Sequence, residues 1–139
     1  MEKGIAEFIR QFEKEKDFIL QNSAGRVSNA LVRISPVLEG EFVAELESDV
    51  NRVPNDVKRL HDPKKRKTRK RLKDNFKDAR WGDAIWFTNE DEAAGLIEFG
   101  YSNKAPQGVF RATARKWPKF IRGVARAATN RARKRVITE

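Results

Sequence analysis

The chain has 139 residues, with 30 Lys or Arg against 20 Asp or Glu, giving a formal net charge of +10. That length predicts one domain, residues 1–139, and the absence of cysteine excludes disulfides, thiolate nucleophiles and cysteine-ligated zinc. No apolar run approaches the roughly 18–20 residues that span a bilayer, and the charged N-terminus lacks the apolar stretch of a signal peptide. The expected place of synthesis is therefore the cytoplasm, with no membrane partner, and the positive charge calls for an anionic partner, nucleic acid first.

Residues 2–34 carry Ile5, Phe8, Ile9, Phe12, Ile19, Val27, Leu31 and Ile34 at steps of three, four and their sums, which predicts one long amphipathic helix. Lys14, Glu15 and Lys16 interrupt the stripe, and Gly25 weakens the helix by about 1 kcal/mol relative to alanine, so a kink is expected near Asn22–Gly25. Ser35-Pro36 ends the helix, because proline disfavours helical geometry in the residue before it. After Gly40, Phe42, Ala44, Leu46 and Val50 alternate with more polar neighbours, predicting a strand over Glu41 to Val50. Asn51, Pro54 and Asn55 supply a turn.

From Lys58 to Arg80 the chain holds twelve Lys or Arg against three Asp, which supplies +9 of the total charge. With little beyond Leu60, Leu72 and Phe76 to bury, this segment (about 56–80) reads as a mobile basic loop inserted between two strands. Either it is simply solvated or it contacts DNA phosphates by releasing counterions. The residues expected to make such a contact, with DNA or with a partner protein, are Lys64, Lys65, Arg66, Lys67, Arg69, Lys70 and Arg71. No aromatic is interleaved among them to stack bases, so the contact would ignore sequence.

Ala84 to Thr88 reads as a buried strand, and the acidic run Glu90-Asp91-Glu92 as the start of a short helix, Glu92–Phe99, ended by Gly100. A polar corner, Tyr101 to Gly108, leads to a third strand, Val109 to Lys116, or alternatively to a helix beginning near Val109. Pro118 suits the first turn of a last helix running to about Arg131, beyond which a basic tail is expected to fray. The predicted class is α+β: a small, mostly antiparallel sheet of three or four strands, packed by the long N-terminal helix and the C-terminal one.

Chemistry is sparse. Glu90, Asp91, Glu92 and Glu98 are the carboxylates on which a metal-dependent nuclease would have to rest, but three are consecutive at a helix start, where capping explains them. His61 has no second ligand or orienting partner in the sequence. Gly-rich phosphate loops and nucleophile elbows are missing. The expectation is no enzyme, with no catalytic residue, metal or cofactor.

The order of short motifs is more informative: Ser35-Pro36 with Gly40 four residues on, Trp86-Phe87-Thr88-Asn89, Ile97-Glu98-Phe99-Gly100, and Ala105-Pro106-Gln107-Gly108-Val109-Phe110-Arg111. This order, covering most of the chain outside the basic segment, resembles the tail-completion (neck, or minor tail) proteins of tailed bacteriophages, of the lambda minor tail protein Z type. Leu38-Glu39-Gly40 stands where such proteins commonly have Asp-Thr-Gly. The resemblance implies a structural protein of the virion neck, joining the head at its portal or adaptor side to the tail tube and its terminator. It implies a cyclic self-assembly, usually six-fold, around the DNA channel, so that genomic DNA is a further partner. The alternative is a free-standing basic protein that binds DNA without sequence preference.

Overall fold

The computed structural model describes residues 2–37, 40–55 and 60–138. Helices α1 (Glu2–Glu13) and α2 (Lys16–Ile34) open the chain. After them come a one-turn helix α3 (Glu41–Ala44), strand β1 (Leu46–Val50), helix α4 (Arg66–Phe76) and strand β2 (Ile85–Asn89). Three helices finish it, α5 (Ala94–Glu98), α6 (Phe110–Arg115) and α7 (Trp117–Thr138). The class is α+β, as expected, but the described residues hold a two-stranded antiparallel sheet rather than three or four strands.

The break in the N-terminal helix falls at Lys14–Glu15, where the apolar stripe is interrupted, and not at Asn22–Gly25. Its cause is tertiary. Glu15 is 1% exposed, and its carboxylate receives Arg135 Nη1 at 2.6 Å and Arg131 Nε at 3.5 Å from α7. The same pairing explains why α7 runs to Thr138 instead of fraying near Arg131. Ala128 and Ala132 are buried on its inner face, and the Arg131 guanidinium lies 4.0 Å from the centroid of the Phe18 ring. Ile19, Val124 and Ala128 join α2 to α7, with Phe12 and Phe18 packed against them.

The main core gathers Leu31 and Val32 of α2, Phe42, Val43, Leu46, Leu72 of α4, Ala105 and Val109. The expected strand Glu41–Val50 splits: its first turn is α3 and only Leu46–Val50 is extended. Gly40 begins that turn at φ +83°, and a Cβ there would lie 2.4 Å from the Pro63 nitrogen, so the backbone of residues 62–63 closes onto it. Leu38 and Glu39 of the same turn lie outside the described residues. Strand β1 pairs with β2 from Leu46 opposite Asn89 to Val50 opposite Ile85. β2 is half-buried rather than buried, because Trp86 faces outward.

The third expected strand is helix α6. Its first three amides, those of Val109, Phe110 and Arg111, donate to the Glu98 carboxylate at 2.8–2.9 Å. An N-terminal cap borrowed from eleven to thirteen residues upstream turns an alternating segment helical. Burial opposes ionisation of Glu98, but the amides of Arg111, Phe110 and Val109, with the Arg111 side chain, hold its pKa below the ordinary value.

Candidate functional site

The basic segment is a loop only in part where it is described, with irregular or turn residues at 60–65 and 77–80 on either side of a helix. Residues 66–76 form α4, although the four residues at its approach, 56–59, lie outside the described residues. Thr68, Leu72 and Phe76 recur at four-residue steps and are all buried, so the helix lays a narrow seam on the core and turns its charges outward. Asp62, itself buried, caps it by accepting from the Thr68 amide at 2.7 Å. This carboxylate offsets the unfavourable placing of Arg66 and Lys67 in the first turn, where the helix dipole is positive.

Polar contacts rivet α4 to β1. Arg71 Nη2 donates to the Ala44 and Leu46 carbonyls at 2.7 and 2.8 Å, and its Nε faces Glu47 at 3.5 Å. Asn75 donates to Glu47 and to the Ser48 carbonyl, while the Ser48 hydroxyl donates to the Leu72 carbonyl at 2.8 Å.

The seven cations expected to touch a partner therefore divide. Arg71 is a structural clamp. Lys65, at φ +63°, sends its ammonium back to the end of α2, donating to the carbonyls of Arg33 and Ser35 at 3.1 and 2.8 Å. Burial, with Lys104 and Arg69 nearby, pushes its pKa below the usual lysine value. Lys70 pairs with Asp74 at 2.7 Å on the helix surface. Lys64, Arg66, Lys67 and Arg69 remain exposed.

Arg69 is brought together with cations that sequence reading did not single out. With Lys73 it forms one wall of a cleft of about 580 Å³ whose other wall is Arg26, Asn29 and Arg33 of α2, closed by Phe120 of α7. Arg26 and Arg33 are seven residues apart and Arg69 and Lys73 four apart, spacings that put each pair on one helical face. That periodicity was the available signal, but it acquires meaning only once α2 and α4 are known to pack together.

The carboxylates separate as well. Glu90, Asp91 and Glu92 line a second cleft, about 860 Å³, with Glu41, Glu45 and His61. Glu98 is committed to α6. His61 Nε2 lies 3.7 Å from Glu41 Oε1, both side chains being largely exposed. Among the described residues no group of three or more His, Asp or Glu is gathered tightly enough to hold a metal ion, and no helix is long and apolar enough to cross a membrane.

No protein-family model, no curated protein and no solved structure matches this chain.

Beyond the clefts, the surface is rich in large apolar side chains. All three tryptophans and the one tyrosine are well exposed, Trp81 at 53%, Trp86 at 46%, Trp117 at 40% and Tyr101 at 79%. Leu96 and Phe99 stand out beside Tyr101 in the sequence, with the Arg111 guanidinium 5.5 Å from the Phe99 ring centroid.

Proposed function

We propose that this chain is a non-enzymatic structural subunit of a bacteriophage neck, a tail-completion or connector protein. It joins the portal or adaptor side of the head to the tail tube, and it closes with copies of itself into a ring around the DNA channel. The observation that carries the reading is the exposure of Trp81, Trp86, Trp117 and Tyr101. Aromatic residues are enriched at protein–protein interfaces, and a chain working alone has little reason to leave every tryptophan in water.

The motif order supports it from another direction. Within the motifs that resemble tail-completion proteins, Gly40 and Gly108 lie at close approaches, to the backbone of residues 62–63 and to Glu98, which is compatible with the reading. A small two-stranded fold also gains buried surface by ring closure, since heterologous interfaces that close give cyclic oligomers. The virion is the destination on this reading, with the host cytoplasm as the place of synthesis.

The test is a reconstruction of the host particle's neck by electron cryo-microscopy. A closed ring of this chain at the head–tail junction is the expected result. Particles that lack the chain would overturn the reading.

A further inference from the structure

We propose that the cleft between α2 and α4 is a binding site for the phosphate backbone of double-stranded nucleic acid, engaged without regard to base sequence. It deepens the DNA-channel part of the reading above by naming a site, but it does not require a ring, because a single chain supplies every residue.

Four cations line the cleft, Arg26 and Arg33 on one wall and Arg69 and Lys73 on the other. None of them is paired with a carboxylate among the described residues, whereas other cations of the basic segment are tied to partners. Leaving four cations uncompensated across one cleft costs mutual repulsion that a bound polyanion removes. The helical rise of about 1.5 Å per residue spreads Arg26 and Arg33 roughly 10 Å along α2, and Arg69 and Lys73 roughly 6 Å along α4. The charges thus form a track, which suits a row of phosphates at about 3.4 Å of axial rise per strand better than one isolated anion.

Arg26 is held at the crossing with α7: a Cβ on Gly123 would lie 2.9 Å from its Nη1, so the guanidinium rests against the bare helix there. Phe120 supplies one apolar wall. A single ring does not make a platform for successive bases, so the contact is with backbone and carries no sequence information.

The experiment titrates a labelled random-sequence DNA duplex with the full chain, by fluorescence anisotropy at several salt concentrations. Two variants are compared with the parent: Arg26, Arg33, Arg69 and Lys73 all changed to Gln, and a control of equal charge loss with Lys64, Arg66, Lys67 and Lys70 all changed to Gln. Circular dichroism confirms that each is folded, and the single Lys73→Gln variant is measured alongside as the mildest change. The expected result is a salt slope smaller by about three to four for the cleft variant, with affinity down at least a hundredfold near physiological salt. Lys73→Gln should lower the slope by about one, and the control should change both quantities much less. Equal losses in the cleft variant and the control would mean diffuse attraction and overturn the site, as would failure of the parent to bind. A cleft variant that binds DNA normally but no longer self-associates would assign the cleft to the acidic surface of a second copy instead. Size-exclusion with light scattering on the same samples separates the two readings, because a parent that binds DNA through the cleft but never self-associates counts against the ring and leaves the phosphate site standing.

Discussion

A Cβ on Gly108 would lie 2.6 Å from both the main-chain carbonyl oxygen and the carboxylate Oε1 of Glu98. The glycine clears the space, and the carboxylate it admits caps α6 from eleven to thirteen residues away. The bond is a tertiary one that decides a secondary structure. Gly108 also sits at φ +83°, so Gly108→Ala combines a steric clash with backbone strain. Its expected cost is about 2–3 kcal/mol, read as a lowered urea midpoint and lost helical signal.

The same contact sets a pH dependence. The folded pKa of Glu98 is held below its ordinary value of 4.5, so its contribution to stability is fully present above that value. It is lost as pH falls through the lower, folded pKa. Glu98→Gln should therefore be less stable than the parent at pH 7, with the gap closing as the pH falls below 4.5 and through the lowered folded pKa. Urea denaturation across that range measures it, and a gap that stayed constant would falsify the capping role.

Arg71→Met should cost about 2–3 kcal/mol, because it strands the buried Glu47 and two main-chain carbonyls. Neutralising a free cation of the same helix, as in Lys67→Met, should stay within about 0.5 kcal/mol. Thermal melts of the two variants would separate a structural arginine from a surface lysine four residues away.

Glu15→Ala should loosen the end of α7. It removes the carboxylate shared by Arg131 and Arg135 and leaves a void under two cations, at a cost of about 3 kcal/mol. Hydrogen exchange should quicken first in residues 131–137, where the basic tail would then behave as its composition suggests.

Asp62→Ala removes the α4 cap and should cost about 1–2 kcal/mol. Limited trypsin digestion is the sharper readout, since residues 64–73 are dense in cleavage sites. The parent should resist cutting inside α4, and the variant should be nicked there early. Rapid cleavage of the parent within α4 would favour a mobile loop.

If the exposed tryptophans are interface residues, acrylamide should quench all three in the isolated chain and quench them much less after assembly. Unchanged quenching in assembled particles would leave Trp81, Trp86 and Trp117 without that role.

The helices with an apolar stripe were legible in the sequence. α2 and α7 start or stop where Ser35-Pro36 and Pro118 say they should, because these signals act through local backbone geometry. α4 was not legible, since its seam of Thr68, Leu72 and Phe76 is thin beside its charge. What makes the helix worth forming is a polar lock on β1, through Arg71 and Asn75, and no local pattern announces that. For α6 the misleading signal was real alternation over Val109–Lys116, overridden by Glu98. The cleft was out of reach for the same kind of reason, because Arg26 and Arg33 are ordinary surface positions of a helix until Arg69 and Lys73 are packed opposite them.

By itself, then, the sequence determined the charge and its concentration, the absence of thiol chemistry, the α+β class and the placing of the long helices. All of these follow from composition and from periodicities that a helix imposes on its own neighbours. Tertiary structure alone decided where the long N-terminal helix breaks, that a segment of charge +9 includes a helix, and which of its cations stay free. Those outcomes depend on buried carboxylates at Glu15, Glu47 and Asp62, with main-chain carbonyls, brought from distant positions, and a buried polar group must find its partner wherever the fold supplies one.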